Sequence, residues 1–143
     1  MEGFFRRYVS LYRPLINKLN ELLNEHGLSY SLWQVIFYLN ENGLSTLVDV
    51  ANYYNVEKPS ITRRVHRLEE MQIVKAIPSE DRREKIIQLT DSGKEIYQIC
   101  RKKITDLEKN AMEDISMNEQ QTIYDVFPKI KENLLLRKDN KIE

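Results

Sequence analysis

The tightest constraint on this chain's fold is the spacing of two helical patterns, at 46–54 and 58–71, with only Asn55, Val56 and Glu57 between them. Three residues can only turn, so the two segments form a helix-turn-helix. Asn55 suits the stop of the first helix, because Asn best tolerates, after Gly, the left-handed conformation that a C-cap requires. The second helix starts at Lys58-Pro59, where proline's fixed φ fits a first turn and its missing N–H costs nothing. Glu57 before it is a poor cap by hydrogen bonding, although its charge suits the helix's positive end. On the helical wheel Ile61, Val65 and Leu68 form one apolar stripe, with Gln72 close beside it. The opposite side carries Pro59, Arg63, His66, Arg67 and Glu70, flanked by Ser60 and Thr62. Small hydroxyls, a guanidinium and an exposed first turn suit a helix that lies in the major groove of a duplex.

Residues 73–77 and 85–89, IVKAI and KIIQL, are β-rich runs separated by PSEDRRE, the pattern of a hairpin with a charged tip. Arg82 and Arg83 at that tip are the residue type that a narrow minor groove attracts. The bland alternative for both arginines is a polar tip that keeps a sheet edge soluble.

The remaining patterns are helical. Residues 3–24 carry Phe4, Tyr8, Leu11, Tyr12, Leu15, Leu19 and Leu22 at three- and four-residue spacing, widened by Phe5, Val9, Ile16 and Leu23. So wide a stripe predicts burial against its own domain and against another chain. Pro14 inside it predicts a bend or local break. Ser31 with Gln34 reads as a capping box for the next helix, which Asn42-Gly43 stops, and Thr46 with Asp49 as a second box. Thr90 caps a long helix striped by Ile96, Cys100, Ile104, Leu107 and Ala111. Ser116 with Glu119 caps the last one, carrying Ile123, Phe127, Ile130 and Leu134, with Pro128 predicting a kink near Tyr124. Three amphipathic helices around a compact unit carry more apolar surface than that unit covers, and a homodimer is the economical remedy.

The chain of 143 residues has the length of one domain, and its net charge is zero. The distribution is uneven. Residues 58–85 hold eight basic and five acidic side chains, whereas residues 1–57 and 105–143 are both net acidic. Positive charge thus gathers where a duplex would be met. One cysteine excludes an intrachain disulfide and points to a reducing, cytoplasmic setting. Phe4-Phe5 is followed at once by Arg6-Arg7, so no signal-peptide pattern begins the sequence, and no apolar run reaches membrane-spanning length.

KPSITRRVHRLEEMQIV followed by EDRREKIIQLTDSGKEIY resembles the winged helix of the MarR family of bacterial transcription regulators. The Asp81-Arg82-Arg83 tip and the Leu89, Thr90, Gly93 pattern that opens the next helix are its most characteristic features, and the element order matches over nearly the whole chain. Two positions depart: Asn55 stands where the family usually has Gly, and Glu57 where it usually has Ser or Thr. The resemblance implies a mainly α fold, a winged helix-turn-helix with a short β-hairpin wing flanked by N- and C-terminal dimerisation helices. It implies one domain over 1–143, with 31–89 as the DNA-binding part and 1–30 and 90–143 as the dimerisation part. It further implies a homodimer that binds a palindromic double-stranded operator, as a repressor, through Lys58, Pro59, Ser60, Thr62, Arg63 and Arg67 and the wing's Arg82 and Arg83, with Asp81 bracing an arginine. In the family, aromatic or phenolic effectors often bind between the dimer helices and the winged unit. Tyr8, Tyr12, Tyr30, Trp33, Phe37 and Tyr97 would line that crevice here, although core packing explains the same residues.

Cys100 lies on an apolar stripe, the place of an inert structural thiol rather than a redox sensor. His26 and His66 with a single cysteine make no metal set at any recognised spacing, and no cofactor is called for. No nucleophile elbow, phosphate loop or paired catalytic motif is present, so an enzyme is not expected. The rival reading is a winged helix that binds protein rather than DNA, since fold alone does not decide between them; a cysteine-based redox-sensing regulator is the further alternative.

Overall fold

The computed structural model of the chain describes residues 2–81 and 84–136. Its elements run α1 (Phe4–Asn24), α2 (Tyr30–Asn42), β1 (Ser45–Thr46), α3 (Leu47–Tyr54), α4 (Lys58–Glu70), β2 (Val74–Ile77), β3 (Ile86–Leu89), α5 (Asp91–Ala111) and α6 (Met117–Leu136). This is the winged helix-turn-helix fold, mainly α with one small antiparallel sheet. The chain divides into two compact units, residues 1–105 and 106–143, with the division inside α5.

In the first unit α3 begins on a full capping box: Thr46 Oγ1 accepts from Asp49 N–H at 3.1 Å, and Asp49 returns the bond to Thr46 N–H at 3.0 Å. It ends at Asn55, which takes the left-handed conformation at φ 55°. The expected turn chemistry is therefore what the backbone uses. The second helix of the helix-turn-helix is α4, one residue shorter than 58–71 at its C-terminal end. Met71 caps it, and Gln72 adopts φ 62°, so that Ile73 N–H can reach back to Leu68 O. Gln72 is thus an exposed turn residue, not an extension of the stripe. Ile61, Val65 and Leu68 are fully buried, as expected, and each contributes on the order of 1.5–3 kcal/mol by leaving water.

The sheet has the order β1-β3-β2. β2 and β3 form the expected hairpin, paired from Val74 opposite Leu89 to Ile77 opposite Ile86. The strands start one residue later than the sequence pattern placed them. The third strand, β1, is two residues long and pairs Ser45 with Ile87 and Thr46 with Ile86.

Two further boundaries differ from expectation. α2 is capped by Ser29, not Ser31: Leu32 N–H bonds Ser29 Oγ at 3.3 Å, while Asn20 Oδ1, on α1, accepts from Tyr30 N–H at 2.7 Å. On α5 the buried stripe is Gly93, Tyr97, Cys100 and Ile104. Ile96 and Leu107 are only half-buried and Ala111 is exposed, so the buried part of the stripe takes in Gly93 and Tyr97 and stops at Ile104. α1 runs as helix through Pro14, and α6 through Pro128, so neither proline breaks its helix.

α1 buries only Leu19 and Leu23, near its C-terminal end. Its N-terminal half exposes Phe5, Val9 and Leu11 to more than half their surface. In the second unit α6 starts on a cap as expected, with Glu119 N–H bonding Ser116 Oγ at 3.1 Å. None of its residues is buried, and Ile123, Phe127 and Leu134 all stand exposed.

Candidate nucleic-acid interface

The buried stripe of α4 fixes which of its residues face outward. Lys58, Pro59, Arg63, His66 and Arg67 are exposed, and Ser60 and Thr62 half-buried, on the side away from Ile61, Val65 and Leu68. The sequence-predicted DNA-reading residues of this helix therefore share one accessible face. Thr62 Oγ1 donates to Lys58 O at 3.1 Å, which turns its hydroxyl back along the helix. Arg67 pairs with Glu70 at 3.3 Å, but both are well exposed, so the pair is weak and readily exchanged for a phosphate. Glu57 makes no side-chain cap bond; its main-chain O accepts from Ser60 N–H at 3.0 Å, and Pro59 has no N–H to satisfy.

Arg64 behaves differently from its neighbour Arg63. One helical step of 100° turns it toward α2, where Nη1 donates to Gln34 Oε1 at 3.0 Å and to Ser31 O at 3.5 Å. Burial lowers its pKa from the ordinary arginine value. Tyr54, at the end of α3, donates its hydroxyl to Gln34 O at 2.7 Å, and burial pushes that phenol's pKa well up. α2, α3 and α4 are thus tied through one residue, a contact the sequence pattern did not signal because the partners lie 20 and 30 residues away.

The wing is anchored at both ends of its hairpin. Lys85, just before the returning strand, forms a salt bridge with Glu69 of α4. At the base, Thr90 Oγ1 donates to Gln72 O at 2.6 Å and accepts from Gly93 N–H at 2.9 Å, while Thr90 N–H bonds Ile73 O at 3.0 Å. Gly93 completes that joint, because a Cβ there would lie 2.2 Å from Ile73 O. The Leu89, Thr90, Gly93 pattern is therefore a hinge pin between wing and α5. At the tip, Asp81 N–H bonds Ser79 Oγ at 3.3 Å and Asp81 O accepts from Glu84 N–H at 3.2 Å. Arg82 and Arg83, the predicted wing contacts, lie outside the described residues.

The six aromatic residues proposed for an effector crevice fall into two sets. Trp33 and Tyr97 are buried and stacked on each other, centroids 5.4 Å apart and planes 3° from parallel, with the Tyr97 hydroxyl 3.4 Å from Glu41 Oε1. Tyr8 and Tyr12 pair on the exposed half of α1 at 6.3 Å. Tyr30 is half-buried, its pKa raised first by burial and also by the Tyr12 and Tyr8 phenols nearby. Phe37 is half-buried on α2. Tyr38, Tyr53 and Tyr54, which sequence reasoning left out, meet in a row, Tyr38 tilted against Tyr53 at 5.2 Å and Tyr53 edge-to-face with Tyr54 at 4.8 Å.

Cys100 is fully buried, and burial raises its thiol pKa, which disfavours the reactive thiolate. His26 Nε2 lies 3.0 Å from Lys103 Nζ, which also pairs with Glu25 at 3.0 Å, a helix-end cluster joining α1 to α5. Among the described residues no group of three His, Cys, Asp or Glu side chains is placed to hold a metal ion, and no helix is long and apolar enough to cross a membrane.

Comparison with known proteins agrees with this geometry. A family described as "Winged helix DNA-binding domain" matches residues 28–93. An uncharacterized HTH-type transcriptional regulator of Bacillus subtilis, YwoH, is 32% identical over 115 residues, covering 80% of this chain and 84% of its own. The structure of Staphylococcus aureus MarR in complex with salicylate and kanamycin superposes with a TM-score of 0.85 at 27% identity, covering 94% of this chain and 91% of that one. A mutant E. coli MarR complexed with operator DNA shares the fold, with a TM-score of 0.82 at 21% identity over 90% of this chain and 94% of that one. The relatives are regulators rather than enzymes. The chain is a DNA-binding transcription regulator of the winged helix-turn-helix class and belongs to the MarR family.

Proposed function

We propose that the protein is a repressor that binds a palindromic operator as a homodimer. α4 enters the major groove, with Arg63 and the first-turn Lys58, Pro59, Ser60 and Thr62 toward base edges and Arg67 toward phosphate. The observation that carries this reading is the polarity of α4: three fully buried apolar residues hold one face while the opposite face presents its cations to solvent. A dimer places two such helices about one helical turn apart, roughly 34 Å. It also covers the apolar residues that α1 and α6 leave exposed. Arg82 and Arg83 are assigned to the flanking minor groove, with Asp81 bracing one of them.

A duplex enriched by the chain from a random-sequence pool provides the test. Arg63→Ala should cost about 1–3 kcal/mol on that duplex and relax its sequence preference, as loss of a bidentate base contact does. Equal weakening on the unselected pool would make Arg63 a phosphate contact instead. Affinity independent of salt would favour the protein-binding reading of the fold, because phosphate neutralisation releases counterions.

A small aromatic ligand is the second part of the proposal. Tyr8 and Tyr12 pair on α1 near enough to Tyr30 to raise its pKa, and the Staphylococcus aureus relative was solved in complex with salicylate, which supports a site that also takes Trp33, Phe37 and Tyr97. Such a ligand releases DNA only through a difference in affinity for two arrangements of the dimer. A thermal-shift screen of phenolic acids followed by DNA release decides it; no effect on stability or affinity from any compound removes this part.

A further inference from the structure

Among the described residues, Gln34 of α2 bonds both helices of the helix-turn-helix. Its main-chain carbonyl takes the Tyr54 hydroxyl from α3, and its side-chain oxygen takes the Arg64 guanidinium from α4. Arginine has donors only, so it is the amide oxygen of Gln34 that faces Arg64. That bond is made in a half-buried setting. Ile61, Val65 and Leu68 press α4 inward, but an apolar contact is non-directional and leaves sliding and rotation of the helix weakly resisted. The Arg64–Gln34 bond supplies a directional restraint at the middle of α4, one residue from Arg63.

We propose that Gln34, acting through Arg64, is a positioning residue for sequence-specific DNA binding: it sets the rotation of α4 and so aims Arg63 and the first turn at base edges. The second of the two consecutive arginines is on this account not a DNA contact. Base-edge hydrogen bonds tolerate only small displacements, whereas phosphate contacts, which supply most non-specific affinity, do not depend on register in the same way. Loss of the restraint should therefore reduce discrimination and leave non-specific binding nearly intact. The inference rests on α4 being the DNA-facing helix.

The experiment measures affinity of the full chain for the enriched duplex and for the unselected pool across a salt series, in Gln34→Leu, Gln34→Glu, Arg64→Gln and Arg63→Ala variants, with circular dichroism establishing that each is folded. Gln34→Leu and Arg64→Gln should each lower the ratio of specific to pool affinity by roughly tenfold, as loss of a charged hydrogen bond implies, with the pool salt slope unchanged. Their effects should not add, because they break one contact. Gln34→Glu keeps an acceptor for Arg64 and should return the ratio to within about twofold of the natural chain. A fall of about one in the salt slope for Arg64→Gln would make Arg64 a phosphate contact and overturn the proposal. An unchanged ratio in both Gln34→Leu and Arg64→Gln, or no rescue by Gln34→Glu, overturns it too. If Gln34→Leu does not fold, Arg64→Gln and Gln34→Glu still decide. Arg63→Ala separates the two levels: if it alters binding while the Gln34 and Arg64 variants do not, only this inference fails, and if it too has no effect the placement of α4 fails.

Discussion

α4 and α6 are both amphipathic, yet they meet opposite fates within the chain. α4 buries its whole apolar stripe and α6 buries no residue at all. The same contrast runs along α1, whose Leu19 and Leu23 are buried while Phe5, Val9 and Leu11 are exposed. An amphipathic pattern reports that a face needs a partner; only packing says whether the partner is in the same chain. The winged unit satisfies its pattern internally, whereas apolar faces of α1 and α6 are left exposed, and this supports the proposed dimer.

The largest effects should come from breaking the self-sufficient side. Gly93→Ala drives a Cβ into the Ile73 carbonyl, which is backbone and cannot swing aside. It should cost on the order of 3 kcal/mol or more, at the high end for single substitutions. Leu68→Ala should cost about 2–5 kcal/mol by leaving a cavity under α4. Urea denaturation of either variant with a midpoint equal to the natural chain's would mean that the winged unit is not held by these contacts.

Disturbing the other side should act through assembly. Val9→Asp and Leu134→Asp lie on exposed positions, so they should leave the winged unit folded but abolish the rise of Tm with protein concentration that a dimer shows. Loss of the circular-dichroism signal in the dilute variant would mean that these faces pack within the chain instead.

A smaller effect tests the caps. Thr46→Ala removes one half of a reciprocal capping box and should cost about 0.5–2 kcal/mol. Glu57→Ser supplies a cap that α4 lacks and should add up to about 1 kcal/mol, read from the same denaturation curves.

These caps also mark how far the sequence could be read. Thr46 with Asp49, Asn55, and Ser116 with Glu119 act between residues a few positions apart, and all three appear as their spacing predicted. The α4 stripe and the hairpin were legible for the same reason. What was not legible depends on distant partners. Ser29 rather than Ser31 caps α2 where Asn20 of α1 secures the Tyr30 N–H, a bond that no local pattern contains. β1 is a strand only because β3 pairs with it, and two residues carry no periodicity. Gln34 looked like a capping residue and is instead the acceptor for Arg64, thirty positions later. Of the candidate site, the outward face of α4 followed from its buried stripe. The division of the aromatic residues into a buried Trp33–Tyr97 stack and a surface group around Tyr30 did not, because period alone cannot separate a core from a crevice.

The smallest expected effect is on the acid side. Lys103 bonds the Glu25 carboxylate and holds its pKa below the ordinary 4.5. A lowered folded-state pKa contributes stability above the unfolded value and loses it as pH falls through the folded one. Because Glu25 is exposed, the change should be slight: the Tm of the natural chain should decline below about pH 4.5, and Lys103→Met should flatten that decline a little. An identical decline in both would assign it to other carboxylates.

The central claim is that the chain completes itself as a pair and reads DNA as a pair. Sedimentation equilibrium of the full chain at micromolar concentration, alone and with the enriched duplex, tests it most directly. Two chains in the free species and two chains per duplex are predicted; a monomer in free solution that binds the duplex one chain at a time would contradict it.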